Sequence, residues 1–416
     1  MTGPTVQAPV AFAALRHRSF RAYFLTSAAA MMADNIEHVI SYWVMFEKFQ
    51  SPALAGFAVL SHWLPFLLFS VYSGALADRY DCRRVIQFAV LLFMGVSLAW
   101  GLLFLTDTIE IWHAMVLLTV HGMAGVIWGP ASQLLVHDIV GTGELQSAIR
   151  LSATSRYLGL LMGPAVGGVL MLLLGPPMGL LVNVLIYLPL LLWLWKVPYD
   201  GHQRRAQAAQ RPAAGLADTF AILREVSGNR TIFSMILLAG ISSLFVGNAF
   251  QAQMPEYAHD LGTDDAGVDY SILLGANAAG ALVGGLLLES RSLLAPRPQT
   301  AIVFTVLWCL VIAGFAAATS YPLAVALMFV AGFLNLAYSA MSQTLVQLHA
   351  PAHLRGRLIG LYNTANNGLR AFSGITVGVL GSLIGVHWSL ALSALALLVI
   401  TSGLWAFSMR GRERRA

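Results

Sequence analysis

The stretch GALADRYDCRR, residues 74–84, lies between two apolar runs and reads as a short basic turn joining two membrane-spanning helices. A second stretch, GLLLESRSLLAPR at 285–297, repeats its opening: Gly74 precedes Asp78 by four residues, as Gly285 precedes Glu289. Further along, QLLVHDIVGTGELQSAIRL from Gln133 aligns without gaps on QTLVQLHAPAHLRGRLIGL from Gln343, an offset of 210 residues. The register continues to GGVL at 167–170 and VGVL at 377–380. A chain duplicated in this way has the signature of a transporter, with its site where the halves meet near mid-bilayer.

The bulk numbers agree. Of 416 residues, 58% are hydrophobic and 10% charged, and the mean hydropathy is +0.72. Soluble domains run near ~25% charged, so the chain is expected in a membrane. Its apolar runs of about 20–25 residues match a hydrocarbon core of roughly 30 Å crossed by helices. They lack the ten-residue alternation of a β-barrel. Twelve spans are expected, near 20–47, 53–77, 85–106, 111–137, 146–174, 178–196, 231–257, 270–290, 300–318, 322–348, 357–384 and 388–409. They divide into a six-helix half at 1–196, a polar linker at 197–230 and a second six-helix half at 231–416.

Assigning the loops alternately to two sides puts 21 of the 24 Lys and Arg residues on one side and only Lys48 on the other, with Arg156 and Arg370 inside spans. By the positive-inside rule both termini are cytoplasmic, which in a bacterial-type cell means a multi-pass inner-membrane protein. These charges read as topology signals and not as a nucleic-acid surface. The two cysteines, Cys82 and Cys309, imply no disulfide framework. The first fifteen residues do not form a cleavable signal peptide, because the apolar stretch that follows is too long.

Twelve spans, the 6+6 repeat and GALADRYDCRR resemble the major facilitator superfamily over essentially the whole chain. Gly74, Asp78, Arg79, Arg83 and Arg84 match the family's loop motif; Asp81 stands where the family usually has Gly, and Cys82 where it often has Arg. The resemblance implies that Asp78 is a gating latch of the outward-facing state. Physically, a carboxylate there can sit at the N-terminus of span eleven, where the helix dipole favours negative charge. Span five carries Gly159, Gly163, Pro164, Gly167 and Gly168, similar to the antiporter motif of proton-coupled drug exporters. Ordinary small-residue packing explains the same glycines. PAHLRGRLIGLY at 351–362 looks most like the branch with enterobactin-type siderophore exporters and drug-efflux proteins.

Span one raises a different question. AAAMMADNIEHVISYWVMF, residues 28–46, carries Asp34, Glu37 and His38 within five positions. Ionisable groups at bilayer depth are expensive and are functional candidates by default. Asp34 lies about 21 Å along the span. Glu37, His38 and Ser41 share its face through the i+3, i+4 and i+7 spacing. His121 in span four and Arg156 in span five each lie roughly 15 Å deep, so three helices bring polar groups to one slab. Leu117, His121, Ala124 and Gly125 resemble the span-four motif of proton-coupled members, with His121 where the family has Arg. A histidine there titrates near neutral pH. Asp34, Glu37, His38 and His121 are therefore the expected proton-coupling residues, with Arg156 or a protonated histidine as partner. A permanent Asp34–Arg156 ion pair that only ties helices is the alternative.

The second half offers neutral groups: Asn248 and Gln251 in span seven, Asn335 and Tyr338 in span ten, and Asn366 in span eleven, beside the deep Arg370. With Ser41 and Tyr42 they are the candidate substrate cavity. Aromatics such as Trp63 and Trp128 are candidates for stacking on a substrate. Arg156 and Arg370 together suit a carboxylate-rich substrate, and a mostly apolar pocket suits an amphiphile.

The reading is a monomeric proton-coupled antiporter that exports small amphiphilic molecules such as siderophores or drugs by alternating access. An importer or symporter, or a lysophospholipid transporter, on the same fold are the alternatives. No HExxH, cysteine pair or nucleophile elbow occurs, so no enzyme, metal or cofactor is expected. The tails and linker are too short for a sensor domain.

Overall fold

The computed structural model describes residues 11–49, 52–202, 224, 228–247, 250, 254–261, 266–290, 295–373, 377 and 380–409. The regular structure among the described residues is all helical, with no strand. The first half comprises α1 (Arg18–Phe49), α2 (Pro52–Arg79), α3 (Cys82–Leu105), α4 (Ile111–Val140) and the long α5 (Leu145–Lys196). Gly175, at φ 77°, breaks α5 into the expected fifth and sixth spans just before Pro176 and Pro177. Left-handed backbone there is natural only for glycine.

The second half comprises α6 (Arg230–Phe245), α7 (Met254–Asp260), α8 (Ala266–Ser290), α9 (Pro298–Ala316), α10 (Tyr321–His349), α11 (Arg355–Asn363), α12 (Arg370–Ser373), α13 (Leu380–Ile384) and α14 (Val386–Met409). Among the described residues, eight helices are long and apolar enough to cross a membrane. The shorter α6 joins them, while α1 falls short because Asp34, Asn35, Glu37 and His38 interrupt its apolar run. With α5 crossing twice, and α6–α7 and α11–α13 each forming one interrupted crossing, this is the twelve-helix, two-half major facilitator fold.

Two spans depart from the continuous helices expected. Span seven stops at Phe245, and Gly247 then turns at φ 49°. Span eleven runs through a π-helical turn, Thr364–Gly368, before Arg370. Such turns interrupt the i→i−4 ladder and gather at functional sites.

Packing follows membrane rules. Lipid is as apolar as leucine, so helices associate through close approach of small residues. Gly159 and Gly163 of α5 face α1; a β-carbon on Gly163 would come within 2.4 Å of the Asn35 Cβ. This stripe fixes the rotation of α1, and so the direction of its ionisable face. Gly167 continues the stripe against Ile36, whereas Gly168 faces open space. Each half has its own core. Phe93, Trp128 and Tyr187 centre the first, and Trp308, Phe315 and Tyr257 the second.

Candidate functional site

The ionisable residues of span one do converge with span four. His121 of α4 sits between two carboxylates of α1, its Nδ1 2.8 Å from Glu37 Oε1 and its Nε2 2.9 Å from Asp34 Oδ1. Asp34 thus takes His121 as its partner and not Arg156. Glu37 is buried and also accepts from the Ser97 hydroxyl, which in turn accepts from Asn183. His38 Nδ1 donates to the Asp34 carbonyl at 2.8 Å. Its ring meets that of His121 edge to face at 4.5 Å. Ser41 is buried and donates to the His38 carbonyl, and Tyr42, partly exposed, meets the His38 ring edge-on.

His62 of α2 completes the group. Its ring lies 5.2 Å from that of His38, and its buried Nδ1 has no hydrogen-bond partner. The donor nitrogens of His38, His62 and His121 all lie within 4.8 Å of one another, the one group of possible metal-ligating side chains among the described residues. A lone histidine in an apolar run has no sequence signal to single it out, and Ser97 and Asn183 have none either.

Trp63, beside His62, carries the Arg370 guanidinium over its ring at 5.0 Å. The cluster therefore borders the space between the halves. Arg370 Nε donates to the Asn366 carbonyl within the broken span eleven, and Arg156 lies within its electrostatic reach. Asn335 accepts from the Tyr157 hydroxyl across the halves at 3.1 Å. Tyr338 packs against Trp308 in the second core, and Trp128 is buried in the first. Asn248 and Gln251 lie outside the described residues.

At the basic end of the bundle the halves close on each other. Asp78 accepts from the backbone N–H of Gly356 at 3.0 Å and of Arg357 at 2.9 Å, capping the N-terminus of α11. Gly74 is one turn away, and a β-carbon there would meet the Gly356 carbonyl at 2.4 Å. Arg83 grips Asp81 at 2.7 Å and donates to the Val197 carbonyl, while Arg84 reaches Gln87 and Arg79 lies over Tyr80. Burial pushes the Asp81 carboxyl up, but hydrogen bonds from Arg83 hold it below the usual carboxylate range. The family's glycine position is thus filled here by an acidic cap of α3.

The repeat supplies a second tie. Glu289 accepts from the Ser147 hydroxyl, and Arg150 Nη1 lies 3.9 Å from Glu289 Oε2 while donating to the Leu288 carbonyl at 2.8 Å. Arg150, whose depth in the sequence puts it near the surface, is buried between the halves.

The chain matches the transmembrane secretion effector family over residues 9–415. It belongs to that family of major facilitator transporters. Among its relatives are macrolide efflux protein A of Streptococcus pyogenes, 24% identical over 375 residues and 88% of each chain, and the multidrug efflux pump Tap of Mycobacterium bovis, 24% identical over 408 residues and 93% of each. The staphyloferrin A transporter of Staphylococcus aureus is 23% identical over 187 residues, 43% of this chain and 47% of that one. In fold it is similar to the E. coli fucose:proton symporter, at TM-score 0.71 and 13% identity over 94% of this chain and 99% of that one. It is also similar to a bacterial homologue of the iron transporter ferroportin in an outward-facing state, at 0.70 and 17% over 94% and 100%. The chain is a multi-pass membrane transporter and not an enzyme.

Proposed function

We propose that this transporter is a proton-coupled antiporter, a monomer of the bacterial inner membrane that exports small amphiphilic organic molecules, such as siderophores or drugs, by alternating access. The observation that carries the reading is the Asp34–His121–Glu37 contact, three ionisable groups beside the space between the halves. Such a group can hand a proton between carboxylate and imidazole and change its net charge as the cavity alternates. The relatives named for macrolide, multidrug and staphyloferrin transport support the substrate class. The closed basic end supports placing Asp78 as the latch of the outward-facing state, with that end and both termini cytoplasmic. Arg156, Arg370, Asn335 and Asn366 would contact substrate.

The test compares small molecules inside and outside cells with and without the gene, with a protonophore control. Export requires a compound that the deletion strain retains and the complemented strain secretes, unless the gradient is collapsed. A medium compound that instead fails to enter the deletion strain would reverse the direction. Asp34→Asn should abolish gradient-driven transport and leave substrate exchange; full active transport by that variant removes Asp34 from coupling.

A further inference from the structure

We propose that His38, His62 and His121, with Asp34, form a binding site for a first-row divalent transition-metal ion, which this transporter takes as a cargo in addition to organic molecules. The inference rests on the placement of the cluster beside the space between the halves, and not on the direction of transport or the coupled ion.

Three observations carry it. The first is convergence: one nitrogen from each of α1, α2 and α4 falls within 4.8 Å of the others. Metal–nitrogen bonds of ~2.1 Å at tetrahedral angles put donors about 3.4 Å apart, so small side-chain rotations close the site. Asp34 Oδ1, 2.9 Å from His121 Nε2, supplies a fourth, anionic ligand.

The second is orientation. A metal-ligating histidine characteristically ties its other ring nitrogen to a carboxylate or a backbone carbonyl, which fixes the tautomer. Both patterns occur here. His38 Nδ1 donates to the Asp34 carbonyl, so the proton is on Nδ1 and Nε2 keeps its lone pair. His121 Nδ1 is on the Glu37 carboxylate, which Ser97 and Asn183 hold in turn. This is a built outer layer, buried in the first half, and its two histidines have only Nε2 left to offer a ligand.

The third is an orphaned atom. His62 Nδ1 is buried and lacks a hydrogen-bond partner. Buried polar atoms are ordinarily satisfied, and a bound cation satisfies imidazole lone pairs directly. Three imidazoles and one carboxylate suit Zn²⁺, Co²⁺, Ni²⁺ or Fe²⁺; Ca²⁺ and Mg²⁺ require a cage of oxygens that is not here.

The experiment titrates Co²⁺ into the full chain, purified in detergent through a tag without histidine, and follows the visible ligand-field bands of tetrahedral Co²⁺. One Co²⁺ per chain, displaced by Zn²⁺, is expected. His62→Gln and His38→Gln should each weaken binding at least about tenfold while still eluting as monodisperse protein. His113→Gln, at the opposite end of the bundle from the basic loops, should not change it. Absence of the bands in the wild type, or binding that neither cluster variant weakens, overturns the proposal. Proteoliposomes of the same preparation separate the two readings. Gradient-driven export of an amphiphilic dye by protein that shows no Co²⁺ bands overturns the metal site alone. Stoichiometric Co²⁺ binding without any dye export overturns the organic exporter and leaves the metal site standing.

Discussion

The two ties across the basic end occupy matching places in the repeat and are built from different chemistry. Asp78 ends α2 and accepts two backbone amides, those of Gly356 and Arg357. Glu289 ends α8 and accepts the hydroxyl of Ser147, beside the guanidinium of Arg150. Ser147 and Arg357 are separated by the same 210 residues as the rest of the repeat, so both acids address the same position at the start of a packed helix. They differ in solvation. Asp78 is half-buried, whereas Glu289 is 1% and Arg150 4% exposed. A tie to backbone amides does not depend on which side chains surround it, and it can rehydrate when it breaks. A tie between buried side chains is strong only while both partners are present.

That contrast ranks the outcomes. Glu289→Gln should have the largest effect. It keeps the hydrogen bond to Ser147 but leaves Arg150 buried without its carboxylate, and breaking such a pair costs ~3 kcal/mol or more. Opening the basic end hydrates the guanidinium, so the balance between closed and open forms should shift about a hundredfold toward open. Spin labels on the basic ends of α2 and α11, read by double electron–electron resonance, measure that shift. A wild-type distance distribution would mean that the 3.9 Å contact contributes nothing. Asp78→Ala comes next. It removes two charge-assisted bonds and a favourable dipole contact at a helix start, together ~2 kcal/mol, or about thirtyfold by the same measurement. If Asp78→Ala exceeds Glu289→Gln, solvation is not what separates the ties.

These two ties also show what the sequence reveals. Asp78 was legible because the loop motif fixes both its spacing and its place at a helix end. Glu289 was legible only as an echo, since nothing in the spacing says which side chains meet it. Depth can be counted along a helix, but azimuth cannot. Hence Asp34, Glu37, His38 and His121 were found as one slab, while the choice of His121 over Arg156 as partner of Asp34 needed the rotation that Gly159 and Gly163 impose on α1. His62 stayed hidden for the same reason. Its run carries no motif, and its value lies wholly in the two helices that face it. The break in span eleven was not read from the sequence because polar residues such as Asn363, Asn366 and Arg370 mark a cavity-lining face as readily as a change in the hydrogen-bond ladder.

Ser147→Ala sharpens the comparison further. It takes the hydroxyl donor from Glu289, and from the Ala14 amide the acceptor it donates to at 3.1 Å, while Arg150 stays. One hydroxyl donor to a carboxylate contributes about 1.5 kcal/mol, so a shift of roughly tenfold toward the open form is expected. No substitution of Arg357 short of proline, which lacks the N–H, can remove the corresponding bond to Asp78, because there the amide is the donor. An effect of Ser147→Ala as large as that of Glu289→Gln would assign the tie to the hydroxyl and demote Arg150.

The smallest effect belongs to Asp81→Gly, which puts the family's usual residue back. Asp81 caps α3 and is gripped by Arg83, yet it touches neither Asp78 nor α11 in any of these contacts. A glycine cap costs only a few tenths of a kcal/mol, and a partly exposed ion pair contributes ~0–1 kcal/mol. The label distances should therefore stay as in the wild type, with a slight loss of thermal stability. Acidity gives the same answer from another direction. The Asp81 carboxyl is held below its ordinary range in the folded chain. Its contribution is thus complete above the unfolded carboxylate value and fades only as pH falls through the lower, folded one. Any change in the gate between neutral pH and ordinary carboxylate titration must come from elsewhere. A gate distribution that changes with pH over that interval in the wild type but not in Asp81→Gly would place the sensor in this loop and break the separation between clamp and tie.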